Sequence, residues 1–180
     1  MTPDRRFRTP GRCLLLAVLA AAGLLAACSS EEAAAPPCPV VVLAKDAGRL
    51  TRFEGSGRDL TDVLFETTIR NADLSCEYDD NKVETYLRLL FATTRGPADT
   101  TRKARFNYIV AITDRDQNIL AREEFDLTAE FPGNRTEILL IDEIDQIIPL
   151  AEGKNGADYV VYVAFNLSRD EVDYNRRTAR

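Results

Sequence analysis

A chain of 180 residues without a single histidine lacks the commonest general base and the usual activator of a catalytic nucleophile. Its formal charge of -6 at neutral pH argues against nucleic acid as a partner, because a phosphate backbone is bound by basic surfaces. Composition therefore favours a binding or structural protein over an enzyme, and the sequence contains no cofactor signature.

The first 27 residues have the layout of a secretory leader. Four arginines precede an apolar run that extends from Cys13 to Ala27. The run is shorter than the roughly 20 apolar residues that a membrane-spanning helix needs. We therefore expect residues 1–27 to be removed as a signal peptide.

The leader ends in Leu25-Ala26-Ala27-Cys28, which resembles a bacterial lipobox. The resemblance implies lipidation of Cys28 and anchoring of the mature chain in a membrane, which two or three acyl chains hold stably. Ser29 is not the Asp that retains such proteins at the inner membrane, so the expected location is the outer membrane, facing the periplasm. The alternative is an ordinary leader, cut near Ala27, that leaves Cys28 as a free thiol.

The chain after the leader is one domain on a tether. Residues 28–37 are small, charged or proline and predict a flexible linker. A β domain is predicted over residues 38–175, followed by a basic tail at 176–180. The leader carries four of the 23 basic and one of the 29 acidic residues, so the mature chain has a formal charge of -9. Such a charge repels anionic lipid headgroups, and the lipid must supply the anchoring.

Two cysteines remain once Cys13 leaves with the leader and Cys28 carries lipid. In an oxidising compartment Cys38 and Cys76 are predicted to form a disulfide. Two buried free thiols are the alternative. A metal site is disfavoured because two thiolates without any histidine lack the usual zinc ligands.

Alternation of apolar and polar residues dominates the rest of the chain and predicts strands. The predicted strands cover residues 40–43, 62–70, 74–78, 83–91, 106–112, 119–131, 137–141 and 159–167. Spacing of three or four residues predicts short helical turns at 47–53 and 144–148, and the capping box that begins at Ser168 predicts a C-terminal helix through Tyr174. The predicted fold class is all-β, an antiparallel β-sandwich of immunoglobulin-like type with about seven strands and a short C-terminal helix. A closed barrel is the alternative.

Acidic residues are numerous, but none of their patterns predicts a catalytic or metal site. The pairs Asp79-Asp80 and Glu123-Glu124 are interpreted as a solvated turn and a solvated strand. The stretch Asp114-x-Asp116-x-Asn118 copies the opening of a calcium loop, yet Ile119 stands where that loop requires glycine. A hairpin turn is therefore predicted, with no metal and no catalytic residue.

Five segments of the mature chain resemble a family of alphaproteobacterial envelope lipoproteins. They are Cys38-Pro39-Val40, Leu50-Thr51-Arg52-Phe53, Cys76-Glu77-Tyr78-Asp79-Asp80, Phe131-Pro132-Gly133-Asn134-Arg135-Thr136 and Tyr174-Asn175-Arg176-Arg177. The resemblance implies an envelope lipoprotein. It implies no activity and no functional residues.

Two functions remain open from the sequence. The first is a non-catalytic module that contacts another envelope protein through the edge of a sheet beside a loop. Arg169, Arg176, Arg177 and Arg180 would then form a local basic feature, although they could equally serve only to solubilise the terminus. The second is a module that binds a small ligand in a cleft lined by Tyr and Phe.

Overall fold

The structure is a computed structural model that describes residues 35–178. The leader and the predicted lipidation site at Cys28 lie outside this range. Within it, no helix is long and apolar enough to cross a membrane. The described elements are β1 (Val40–Leu43), β2 (Arg49–Phe53), β3 (Val63–Asp79), β4 (Lys82–Arg95), β5 (Lys103–Asp114), β6 (Ile119–Glu130), β7 (Glu137–Pro149), β8 (Tyr159–Phe165) and the helix α1 (Arg169–Thr178).

The strands form two open sheets of four, in the orders β1-β8-β5-β6 and β2-β3-β4-β7. All pairings are antiparallel except that of β1 with β8. The two sheets pack face to face, and β6 contacts β7 across the sandwich, while β1 contacts β3 on the other side. The predicted all-β class, an antiparallel sandwich with a short C-terminal helix, is confirmed.

Aromatic side chains from both sheets fill the centre of the core. The ring of Phe91 on β4 lies 5.1 Å from Tyr108, 5.8 Å from Phe106 and 6.0 Å from Phe165, measured between centroids. All four residues are buried, as their alternating positions predicted. Tilted contacts of this kind add to the hydrophobic gain of burying large rings. The core therefore joins β4 of one sheet to β5 and β8 of the other.

Three predicted elements are different in the structure. Residues 49–53, predicted as part of a helical turn, form strand β2 because they pair with β3. The two strands predicted at 62–70 and 74–78 are one strand, β3, which is continuous through a bulge after Ile69. Strand β7 continues through the predicted helical turn at 144–148, with Ile144 and Ile148 buried and Ile147 exposed.

The chain enters the domain through a segment that is fixed to β3. Cys38 lies just before β1, and its sulfur is at disulfide distance from that of Cys76 on β3, with the two Cα atoms 5.6 Å apart. Two residues further along β3, the hydroxyl of Tyr78 donates to the carbonyl of Pro37 at 2.6 Å. A Cβ on Gly156 would collide with the same carbonyl, so this close approach requires glycine. The predicted cysteine pair is therefore brought together, and it links the strand nearest the tether to the opposite sheet.

Helix α1 packs against β2 and is longer than predicted. It continues to Thr178, so residues 176–178 are helical instead of part of a basic tail. The buried side chain of Asn175 donates to the carbonyl of Asp46 at 2.9 Å and to that of Arg49 at 2.7 Å. These bonds attach the helix to the loop after β1 and to the start of β2.

Candidate protein-docking site

Two long strands end the sheets on the same side of the sandwich. Strand β7 is the last strand of one sheet and β6 the last strand of the other. The strands at the opposite ends, β1 and β2, have only four and five residues. Strand β2 covers β3 only as far as Thr68, so the free edges of the sandwich are the second half of β3 and the whole lengths of β6 and β7.

The register of β7 shows which of its residues face the free edge. The amide of Arg95 donates to the carbonyl of Thr136 at 2.7 Å, and that of Leu150 donates to Asn81 at 2.8 Å. These bonds lie at the two ends of the β4–β7 ladder, whose register is unbroken between them. Because hydrogen-bonded pairs alternate in an antiparallel ladder, the even-numbered residues of β7 bond to β4. The odd-numbered residues direct their N–H and C=O groups to the free edge.

The side chains at these seven odd-numbered positions lie on the outer face of the sheet, and four of them are apolar. Leu139, Ile141 and Ile147 are exposed by 64%, 53% and 62%. The fourth is Pro149, which ends the strand and has no N–H to donate, and the charged three are Glu137, Glu143 and Asp145. A long, regular edge strand with exposed apolar residues is a template for pairing with another chain.

Strand β6 has a different edge. The amide of Phe131 donates to the carbonyl of Arg102 at 3.0 Å, which places the even-numbered residues of β6 at its free edge by the same alternation. From residue 122 onward these are Arg122, Glu124, Asp126, Thr128 and Glu130. Charged side chains in this position discourage strand pairing. Strand β7 is therefore the better docking edge of the two.

A partly buried hydrogen bond joins the two sheets beside this edge. The hydroxyl of Tyr108, on β5, donates to Asp142 of β7 at 2.6 Å, and the ring stacks on Phe125 of β6 with centroids 5.2 Å apart. Burial, and then the bond to Asp142, raises the pKa of Tyr108 far above its usual range. The hydroxyl thus stays protonated and holds β7 in position.

We expect Tyr108→Phe to lower the free energy of unfolding by about 1–3 kcal/mol, because Asp142 loses its buried donor. Tyr162→Phe, on the outer face of β8, is the matched control and should change little. The wild-type advantage should shrink above about pH 10, where tyrosine ionises in the unfolded chain but Tyr108 keeps its proton in the fold. Urea unfolding of both variants from pH 7 to pH 11 measures this, and an advantage that grows with pH contradicts it.

An apolar groove lies between the sheets at the C-terminal end of β7. It has a volume of about 480 Å³ and is lined by Ile112, Leu120, Ala121, Ile147, Ile148, Pro149, Leu150, Ala151 and Tyr159. Ile147 belongs both to this groove and to the free edge of β7. The groove is therefore continuous with the docking edge, and it could hold an apolar side chain of a partner strand.

A second cleft, of about 260 Å³, lies between β2 and α1 and is lined in part by Phe53 and Tyr174. The two rings contact each other edge to face with centroids 5.1 Å apart. Arg52 is paired with Glu171 of the helix, and Arg58 lies over the ring of Phe53 at 5.1 Å. The charged groups of this cleft are already engaged within the protein.

The predicted basic feature lies away from β7. Arg176 forms an ion pair with Asp46 at 2.8 Å, and this bond raises the pKa of the guanidinium. Helix α1 packs against β2, at the other end of the sheet from β7. Arg180 lies outside the described residues. The arginines of α1 therefore do not border the docking edge.

The acidic patterns have structural roles in the described chain. The carboxylate of Asp114 accepts from the backbone and side-chain nitrogens of Asn118 at 2.9 and 2.8 Å, which confirms the hairpin turn and lowers the pKa of Asp114. Glu123 and Glu124 lie on opposite faces of β6 and cannot converge. Among residues 35–178, no group of three or more His, Cys, Asp or Glu is placed to hold a metal ion.

Asp99, in the loop after β4, is a buried carboxylate that the sequence did not single out. Burial alone would raise its pKa, but hydrogen bonds from Arg95, Thr101 and Arg102 outweigh that effect, and the pKa is lowered. Its partners are all local, so it orders the loop between β4 and β5. Loop positions of this kind have no periodic pattern by which sequence could find them.

Comparisons with protein-family models, with curated proteins and with solved structures gave no match to this chain.

Proposed function

We propose that this protein is a lipid-anchored module of the cell envelope that binds another envelope protein by strand addition along β7. The anchor is a lipid on Cys28, and the location is the periplasmic face of the outer membrane. Two lines of reasoning support the proposal. The leader and lipobox support the anchor, and the accessible edge of β7, with its exposed Leu139, Ile141 and Ile147, supports the docking.

The main support for a docking function is the free edge of β7 with its exposed apolar side chains. Main-chain hydrogen bonds from a partner strand would satisfy the outward N–H and C=O groups at Leu139 and Ile141, and their side chains would be covered at the same time. A protein with such an edge must either conceal it or use it, because an open edge promotes aggregation. Charged side chains protect the edge of β6 from strand pairing, whereas the edge of β7 remains available for a partner.

The entry point of the chain leaves that edge unobstructed. Pro37 and Cys38 are fixed to β3 near β1, the strand that ends its sheet on the side opposite to β6. A tether that joins the domain there is attached on the side of β1. The edges of β6 and β7, on the opposite side, then remain accessible to a partner. This geometry suits a module that meets a partner while attached to a membrane.

Binding of a small ligand between β2 and α1 is the second candidate. The aromatic pair of Phe53 and Tyr174 favours it, since such rings line many ligand pockets. The engaged arginines and the small volume make this cleft the weaker candidate. A ligand that bound there would have to displace Arg52 from Glu171.

Photocrosslinking in intact cells tests the docking function. With a photoreactive residue in place of Leu139, we expect a crosslinked partner, and Ile141→Lys in the same chain should reduce its yield about tenfold or more, since an edge lysine opposes strand pairing. Thr128→Lys, at the free edge of β6, is the matched control of equal charge change and should leave the yield unchanged. An equal yield with both lysine variants rejects docking along β7.

A further inference from the structure

We infer that the partner segment is an extended strand with basic residues at the positions that meet the acids of β7 and apolar residues at the others. This inference rests on the proposed docking function and identifies the chemistry of the partner. It follows from the order of side chains along the free edge, which is Glu137, Leu139, Ile141, Glu143, Asp145 and Ile147, before Pro149 ends the strand.

The edge is acidic and has no positive charge of its own. Residues 137–149 contain four acids and neither Lys nor Arg. Glu143 has a basic neighbour in Arg88 of β4, at 3.4 Å, and both side chains are half-exposed. Within the part of the chain that the structure describes, Glu137 and Asp145 have no Lys or Arg within salt-bridge distance. Their charges are open to a partner.

Charge argues against a second copy of this chain as the occupant. An antiparallel pairing of β7 with itself, centred on Ile141, sets Glu137 opposite Asp145. A pairing centred on Glu143 sets that glutamate opposite its own copy. Like charges directly opposite one another destabilise a strand pair, whereas opposite charges stabilise it. A basic partner strand turns each of these contacts from repulsive to attractive.

The apolar positions fix the register of the partner. Leu139 and Ile141 are two successive apolar residues of the edge, with Glu137 before them and Glu143 after them. If the partner strand shifted by two residues, one of its lysines would lie opposite an isoleucine. The side chain of Ile147 lines the apolar groove between β6 and β7. Leu120 lines the same groove and is 54% exposed. An apolar residue at the end of the partner strand would reach that groove.

Synthetic peptides of about eleven residues test this chemistry, because a strand of that length covers the edge. Their sequence is Val-Thr-X-Thr-X-Thr-Val-Thr-Val-Thr-X, where X is Lys, Ser or Glu in three separate peptides. In an antiparallel pairing the X positions lie opposite the acids of β7 and the Val positions lie opposite its apolar residues. Each peptide is also made with its sequence reversed, which gives the same contacts in a parallel pairing. Affinity is measured by fluorescence anisotropy with the full mature protein in detergent. We expect the Lys peptide to bind about tenfold more tightly than the Ser peptide, a ratio that opposite cross-strand charges can supply. The Glu peptide should bind most weakly.

The variant E137K/D145K should reverse this order, and Ile141→Lys should weaken every peptide. Equal affinity of the Lys and Ser peptides, with sensitivity to Ile141→Lys retained, overturns the inference and leaves docking along β7 standing. A dimer that sediments as such and is abolished by Ile141→Lys overturns it too, because the occupant is then a second copy. If no peptide binds, the inference fails, and crosslinking from position 139 decides separately whether the edge docks a partner.

Discussion

Replacement of Cys28 by alanine should remove the protein from the membrane fraction or leave it with its leader uncleaved. In the proposed anchoring the thiol of Cys28 is the point of lipid attachment, so a chain without it would carry no acyl chains. Each buried methylene contributes about 0.8 kcal/mol to membrane binding, and two or three long chains together make release negligible. Their loss should therefore shift nearly all of the processed protein to the soluble fraction.

Cys13→Ala is the matched control for this prediction, because Cys13 lies inside the apolar run and, in the proposed processing, would be removed with the leader. Cell fractionation and intact-mass measurement of both variants provide the readout. The control should keep the wild-type mass and location. A Cys28→Ala protein with unchanged mass and unchanged fractionation contradicts lipidation and favours an ordinary leader with a free thiol at position 28.

Strands were predicted most accurately from the sequence where one face of the strand is buried and the other is exposed to solvent. In β6, Phe125, Leu127 and Ala129 are half-buried or buried, and they alternate with the exposed residues Asp126 and Thr128. The period of two is imposed there by the core itself, so it can be seen without knowing the neighbours. The terminal helix was found for a similar reason, since the capping box of Ser168 and Glu171 is a local signal and forms as predicted.

Strand β7 was partly missed because both of its faces carry apolar residues. Ile144 and Ile148 face the core, but Ile147 faces outward, so the three together imitate the spacing of a helix. An outward isoleucine breaks the alternation that identifies a half-buried strand. The residues that obscured the secondary structure are thus the same ones that make β7 a candidate docking edge.

Strand order could not be predicted from the sequence. Nothing local distinguishes β6 from β7 as an edge, because the order of strands depends on contacts between distant segments. The parallel pairing of Val41 with Val161 joins the two ends of the described domain, and the hydrogen bond from Tyr108 to Asp142 crosses between sheets. Both depend on tertiary packing, and the docking site depends on them in turn.

Removal of both cysteines in Cys38→Ala/Cys76→Ala should lower the free energy of unfolding by about 4 kcal/mol. The bond closes a loop across a sequence separation of 38 residues, and the chain-entropy model assigns a cost of that size to losing such a constraint on the unfolded chain. Small domains are stable by only about 5–15 kcal/mol, so the loss is a large part of the total. The melting temperature should fall by roughly 10–20 °C.

The effect should come from the disulfide and not from the local packing of the entry segment. Wild-type protein treated with a reductant should therefore melt with the double variant. Tyr78→Phe keeps both cysteines but removes the hydrogen bonds of the hydroxyl to Pro37 and Gly156, so it should lose only about 1–3 kcal/mol and melt between the two. Thermal unfolding followed by circular dichroism, with and without reductant, makes the comparison. Equal midpoints for wild type and the double variant, or two free thiols at positions 38 and 76 in protein extracted from the envelope, would show that the cysteines do not form the stabilising bond.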